Sequence, residues 1–337
     1  ETLSQTEATE AEEDLSSGLK WISFKQKFFS YAIVSKDSFD DAFVEMHTKS
    51  RPSNSRYQKS MSAIIDIPFD GLNEDNTIAM SYYFGPNDFK ELKQYDINLE
   101  KQIPLGGKLV AWINRLIVIP VFDWLGQYGW SYGVVILILT LIIKICLMPI
   151  AFKSYMSSAK MRVLKPEIDA INAKYPKPDD AMKKQQAIMD LYKKAGASPT
   201  SGCLPMLLQF PILIAIFRFF PSSIELRQQP FLWADDLSTY DSILDLPFNI
   251  PFYGDHVSLF TLLMTASTLL YTYINNKQMK QAQGDQAMPG MTLMLYLMPI
   301  IFLGVFNSYS AGLSYYYLLV NLFSFLQMYI FKICINE

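Results

Sequence analysis

The chain changes character near residue 109. Before that point, charged and apolar residues are mixed over short distances. After it, long apolar blocks alternate with short polar ones. Five blocks stand out, near 133–152, 204–220, 257–274, 291–306 and 313–331. A helix rises 1.5 Å per residue, so crossing a hydrocarbon core of about 30 Å takes roughly 20 residues. Several blocks are nearer 17 residues and cover only about 25 Å, so flanking residues complete the crossing or the bilayer thins locally. Five such blocks with Phe, Tyr and Trp at their ends predict membrane spans, not a soluble core.

Ahead of the first block, 106–125 reads GGKLVAWINRLIVIPVFDWL. Leu109, Trp112, Ile113, Leu116 and Ile117 recur at helical spacing, with Lys108, Asn114 and Arg115 between them. This pattern predicts an amphipathic helix over 106–130, lying in the outer interface and ended or kinked at Pro120. Residues 1–18 hold six acidic residues and no basic one, which predicts a solvated, flexible segment. Stretches at 21–34, 63–67 and 77–84 favour strands, separated by Pro, Gly, Asn and Asp. Residues 1–105 are therefore expected to be a β-rich external domain, too short to be complete.

The loop 153–203 has two helical stripes. Leu164, Ile168, Ile171 and Tyr175 form one, and Met182, Ile188, Leu191 and Tyr192 the other. Between them, Tyr175-Pro176-Lys177-Pro178-Asp179-Asp180 is a strong break. A helical hairpin with basic outer faces is predicted.

Charge then orients the bundle. The loop 153–203 carries ten Lys and Arg residues: Lys153, Lys160, Arg162, Lys165, Lys174, Lys177, Lys183, Lys184, Lys193 and Lys194. The loop 221–256 carries only Arg227, against six acidic residues. Lys277 and Lys280 lie in 275–290, and Lys332 follows the last block. The positive-inside rule places 153–203, 275–290 and the C-terminus in the cytoplasm, and 1–130 and 221–256 outside. The whole-chain net charge of −3 describes neither half. The expected architecture is mainly α: a polytopic bundle of five core transmembrane helices over 131–337, an external β-rich fragment, and a cytoplasmic helical hairpin.

Lys144 lies about twelve residues into the first span, in Leu141-Ile142-Ile143-Lys144-Ile145-Cys146. A lysine at that depth costs on the order of 2.5–3.5 kcal/mol. No acidic residue occurs in any span to pair with it. It therefore calls for water, backbone carbonyls or a ligand's acid, unless it snorkels to the cytoplasmic surface. Thr140, Gln209, Tyr316, Tyr317 and Asn321, with Ser324 and Gln327, are candidates to line the same cavity. Each alone is more often a helix–helix hydrogen bond. Met206, Met291, Met294 and Met298 in the second and fourth spans would suit an adaptable apolar surface, although lipid-facing packing explains them as well.

Little else suggests chemistry. Cys146, Cys203 and Cys334 have no metal or disulfide spacing and read as buried or interfacial free thiols. The two histidines, His47 and His256, offer no catalytic pair. No nucleotide loop, metal cluster or nucleophile–base pair is visible in the spans. The chain opens on Glu1, not Met, which suggests a fragment or a processed chain.

Several segments resemble the YidC/Oxa/Alb family of membrane protein insertases. Trp21-Ile22-Ser23-Phe24-Lys25-Gln26-Lys27-Phe28-Phe29 resembles the end of that family's external β-sandwich, and Ile143-Lys144-Ile145-Cys146-Leu147-Met148-Pro149 its first core span. Ser158-Ala159-Lys160-Met161-Arg162 through Pro166 resembles the start of its hairpin. Gly202-Cys203-Leu204-Pro205-Met206-Leu207-Leu208-Gln209-Phe210-Pro211-Ile212, Ile224-Glu225-Leu226-Arg227-Gln228 and Ser310-Ala311-Gly312-Leu313 through Asn321 are similar in family order and spacing.

The resemblance implies a non-enzymatic insertase and chaperone of the bacterial inner membrane, without cofactor or metal. A hydrophilic groove, open to cytoplasm and lipid, would hold Lys144, Thr140, Gln209, Tyr316, Tyr317 and Asn321. A substrate slide would run along Met206, Met291, Met294 and Met298. Nascent membrane proteins, the Sec translocon, translating ribosomes and the lipid bilayer are the implied partners. Two departures stand out. The family cation is commonly arginine, and lysine lacks the planar fork for bidentate capture of a carboxylate. An earlier span and most of the external β-sandwich are also missing. A secondary transporter or channel using Lys144 is the alternative, although no inverted repeat is visible.

Overall fold

A computed structural model of the chain describes residues 9–15, 18–39, 42–50, 59–66, 78–176, 180–196, 204–283 and 289–335. It is mostly helical, with a β-rich N-terminal region. The chain divides into two compact units, one essentially Glu1–Pro104 and the other Leu105–Pro221 with Glu225–Glu337.

The first unit contains two three-stranded antiparallel sheets. In one, β4 (Ala42–Ser50) lies between β1 (Thr9–Leu15) and β5 (Lys59–Asp66). In the other, β3 (Phe29–Phe39) lies between β2 (Leu19–Lys25) and β6 (Met80–Pro86). The acidic stretch is thus not wholly flexible: residues 9–15 pair with β4, where strand hydrogen bonding outweighs the charge of an edge position. The 21–34 stretch becomes two strands. Gln26 N donates to Phe29 O at 2.8 Å and closes the turn between them. Alternation along the second sheet puts Phe24, Tyr31, Tyr82 and Phe84 on one face as a ladder of stacked rings, the closest pair being Tyr31–Phe84 at 4.6 Å. A short helix, α1 (Phe89–Lys93), follows. It is capped by Asp88, whose side chain accepts from Glu91 N at 2.8 Å.

The second unit opens with α2 (Lys108–Ile113) and α3 (Ile119–Gly126), joined by the π-helical segment Asn114–Val118. Pro120 does not end this helix. It occupies the first turn of α3, where its missing N–H is tolerated, and the widened segment before it absorbs the lost hydrogen bond. By length and composition, Lys108–Gly126 is itself apolar enough to cross a membrane. One face buries Ile113, Val118, Ile119, Phe122 and Leu125; the other exposes Leu109, Trp112, Leu116, Ile117 and Trp124. Buried Asn114 fixes this element to the bundle by donating to Leu105 O at 3.2 Å and Ala215 O at 3.0 Å.

The longest helix is α4 (Tyr132–Val163), whose 32 residues span about 48 Å. Its buried positions include Val135, Ile136, Leu139, Thr140, Ile143 and Lys144, the stripe a 3.6-residue repeat produces. Val134, Leu141 and Ile145 face away and are exposed. Lys144 is therefore carried inward by helix phase. Around α4 pack α7 (Leu204–Phe219), α8 (Leu259–Gln283) and α10 (Ala311–Ile335), while α9 (Pro289–Asn307) packs on α8. Tyr132–Val163 and Ala311–Ile335 also meet the length and hydropathy needed to cross a membrane, and Leu207–Ser222 and Leu293–Asn307 are shorter apolar helices.

Beyond the apolar part of α4 come α5 (Lys165–Lys174) and α6 (Ala181–Lys194). They share a small core with the end of α4: Met161, Ile168, Ile188 and Tyr192, flanked by Leu164, Ile171 and Leu191. Met182, expected on this stripe, is instead exposed.

Candidate functional site

Lys144 is 8% exposed. Its Nζ donates to Ser324 Oγ on α10 at 2.8 Å, and Ser324 Oγ in turn donates to Val320 O at 2.7 Å. Gln327 Nε2, about one turn further along α10, donates to the backbone oxygen of Lys144 at 3.1 Å. So the lysine is held between α4 and α10 by neutral groups. Its ammonium has three donors, and a hydrogen bond to a charged group contributes roughly 1.5–3 kcal/mol. One hydroxyl leaves much of the cation's capacity unused. No Asp or Glu occurs in α4, α7, α8, α9 or α10 that could supply a countercharge from within the helices.

The other expected groove residues fall at different levels. Thr140, one turn before Lys144 and buried, donates to Ile136 O at 2.6 Å within its own helix. Asn321 does not bond the lysine. Its Nδ2 donates to Ser267 Oγ at 2.9 Å and Thr268 Oγ1 at 2.8 Å on α8, tying α8 to α10. Tyr316 is completely buried, with its ring edge-on to Phe220 at 6.0 Å. Its hydroxyl lies beside Gln209, yet neither that hydroxyl nor Gln209 Nε2 has a partner at hydrogen-bond geometry. Tyr317 packs against Phe306 and Tyr316, at 5.5 and 6.0 Å between ring centroids.

On α9, Met294 and Met298 are exposed among Leu293, Leu297, Ile300 and Ile301. Met206 and Met291 belong to α7 and α9, but their side chains lie outside the described residues. Cys146 and Cys334 are exposed on their helices, not buried, because each falls off its helix's inward stripe; Cys203 lies outside the described residues. Among the described residues, no group of three His, Cys, Asp or Glu side chains could hold a metal ion.

A second polar cluster lies where α8 begins and α9 meets α10. Asp241 is 2% exposed and accepts from Ser258 Oγ at 2.5 Å, Phe260 N at 3.0 Å and Trp233 Nε1 at 2.9 Å. Ser258 Oγ accepts from Thr261 N at 3.1 Å, which caps α8. Asn307 accepts from Ser258 N at 3.0 Å through Oδ1 and donates from Nδ2 to Tyr253 O and His256 O at 2.9 and 2.8 Å. His256 Nε2 lies 2.9 Å from Asn307 O, which can only accept, so Nε2 carries a proton. Its other nitrogen is 3.2 Å from Asp255 Oδ1, and the neighbouring His256 side chain holds the Asp255 carboxyl below its usual range. Sequence reasoning passed over this cluster. The one local signal was a serine, Ser258, directly before an apolar run.

Comparison with known proteins places this geometry. Residues 124–337 match the family described as 60Kd inner membrane protein, and residues 1–120 match the YidC periplasmic domain. A membrane protein insertase YidC of Parabacteroides distasonis is 48% identical over 331 residues, covering 95% of this chain and 51% of the relative. Its counterpart in Bacteroides fragilis is 49% identical over 335 residues, covering 97% and 53%. That of Porphyromonas gingivalis is 40% identical over 342 residues, covering 97% and 54%. The chain spans about half the length of the curated relatives it matches. Nothing in these matches supports the transporter or channel alternative. The chain belongs to the 60Kd inner membrane protein family of bacterial inner-membrane proteins, with an N-terminal region of the YidC periplasmic type.

Proposed function

We propose that this chain is the insertase part of a membrane protein insertase, receiving the hydrophilic segment of a nascent membrane protein beside Lys144. The observation that carries the reading is a buried cation bonded to a neutral hydroxyl, while α4, α7, α8, α9 and α10 contain no acidic residue. A cation kept without a countercharge is stabilised by whatever polar or acidic group a client brings. The name of the relatives, membrane protein insertase, points the same way.

In this reading α4, α7, α8, α9 and α10 are the five core spans, and α2–α3 lies in the outer interface. The α5–α6 pair is a cytoplasmic hairpin whose lysines meet a translating ribosome or anionic headgroups. Residues 1–105 are part of a periplasmic β-sandwich, and the C-terminus is cytoplasmic. Thr140, Gln209, Tyr316, Tyr317 and Asn321 line the groove with Lys144. The client's apolar helix slides past Met206, Met291, Met294 and Met298 into lipid, with or without the Sec translocon. The process makes and breaks no covalent bond and uses no cofactor.

Insertion of a short single-span protein into liposomes reconstituted with this chain tests the proposal. Lys144→Ala and Lys144→Glu should weaken insertion, and Lys144→Arg should keep it. Full activity of the alanine variant would remove the role of the groove charge. Crosslinkers at exposed positions of α7 and α9 should capture nascent chains; absence of capture would remove the slide.

A further inference from the structure

Between Asp241 and α8 the chain forms a hairpin that the insertase reading leaves unused: β7 (Leu244–Ile250) and β8 (Gly254–Val257). Alternate positions of β7 are Leu244, Leu246, Phe248 and Ile250, and the positions between them are Asp245, Pro247 and Asn249. The pairing of β7 with β8 is interrupted between Asp245 and Ile250, yet Leu244, Phe248 and Ile250 are all exposed and leave an apolar stripe over about 20 Å. Such a face normally covers a core, but here Leu244 is 57% and Phe248 60% exposed. At the turn, Phe252 is 99% exposed, with its backbone at φ 65°, a conformation that bulky residues seldom adopt.

The turn is not loose. Asn307 grips Tyr253 O and His256 O from beneath. The Phe252 carbonyl closes onto Gly304 of α9, where an added Cβ would meet it at 2.7 Å. The fold thus holds this backbone firmly while presenting a bare phenyl ring outward. Gly304 lies on α9 with Ile300, Ile301 and Val305, all exposed apolar residues, so the hairpin's apolar surface continues that of α9. The loop 221–256 carries six acidic residues and one arginine, which gives it no electrostatic attraction to anionic headgroups.

We propose that the β7–β8 hairpin is a membrane-interface anchor whose apolar stripe, led by Phe252, inserts among the headgroups and upper acyl chains beside α9. Its occupant is lipid, because the stripe continues a lipid-facing helix surface at that helix's end, where aromatic residues favour the bilayer boundary. The inference rests on the reading of α9 as a span, and the test separates the two.

In the full chain, Cys146, Cys203 and Cys334 are replaced by serine. Nitroxide labels are placed singly at Phe248→Cys, Phe252→Cys, Asn249→Cys and Ile301→Cys, and each protein is reconstituted into phosphatidylcholine–phosphatidylglycerol vesicles. Collision with oxygen and with a water-soluble nickel chelate is then measured. The oxygen-to-nickel ratio should be severalfold higher at 248 and 252 than at 249, and highest at 301. Frequent nickel collisions at 252, with 301 in lipid, would overturn the anchor alone. Protection of 248 and 252 from both reagents would mean a protein surface covers them, and would also overturn it. Nickel access at 301 would remove the span, and the anchor with it.

Discussion

Two buried polar regions lie in the same helical unit and are built on opposite rules. Around Asp241 and Asn307, three donors converge on one carboxylate, and both ends of the Asn307 amide are engaged. Around Lys144 a full charge has one hydroxyl, and further along α10 the Tyr316 hydroxyl and the Gln209 amide nitrogen have no partner. A saturated network fastens α8, α9 and α10 where their ends meet. In the proposed reading, the unsaturated one keeps capacity for a client that arrives later, since native proteins seldom leave buried polar groups unpaired without a reason.

The largest effect on stability should come from the saturated side. Asp241→Ala leaves the buried Phe260 N without its partner, at about 1–3 kcal/mol, and takes one partner each from the part-buried Trp233 Nε1 and from Ser258 Oγ, which keeps Thr261 Oγ1. We expect a loss of at least about 3 kcal/mol, read as unfolding in detergent or nanodiscs. A loss under 1 kcal/mol would break the comparison. Asn307→Ala should follow at roughly 2 kcal/mol, because its side chain gives up hydrogen bonds to the buried Ser258 N and His256 O and to the part-buried Tyr253 O.

Lys144→Met should do the reverse. It removes a buried charge and keeps most of the volume, so folding stability should be unchanged or raised by about 1 kcal/mol while insertion falls. Loss of stability together with function would make Lys144 a structural group like Asp241.

This division was only partly legible in the sequence. The spacing of apolar residues indicated the helices of the bundle, and the depth of Lys144 in the first span with no acidic residue nearby marked it as unusual; its place on the buried stripe with Leu139, Thr140 and Ile143 came from the structure. What spacing could not supply was partner choice. Asn321, Ser324 and Gln327 all lie on α10, but only Ser324 and Gln327 meet Lys144, because the crossing of α4 and α10 selects one strip and α8 claims the other. The Asp241 cluster joins residues from Trp233 to Asn307, far apart along the chain, and local pattern carries no such information. Likewise, charge alone suggested a flexible N-terminus, whereas 9–15 find a partner strand across an interval with no local signature.

The smallest expected effect is the most discriminating. Tyr316 is wholly enclosed, and its hydroxyl lies beside Gln209 without a partner at hydrogen-bond geometry. Tyr316→Phe removes that oxygen and leaves the ring contacts with Phe220 and Tyr317 in place. Deleting a satisfied buried hydroxyl costs about 0.5–1.5 kcal/mol, whereas deleting an unsatisfied one is neutral or gains stability. We therefore expect the phenylalanine variant to unfold within about 0.5 kcal/mol of the parent, or slightly later, and to insert clients less well. The Gln209→Leu variant and the double variant should show the same separation, with little coupling in stability and clear coupling in insertion. A loss near 2 kcal/mol from Tyr316→Phe would show that the hydroxyl is engaged in the resting protein. The inner region would then be a second fastening, and the reading of its unpaired groups as reserved for a client would fall.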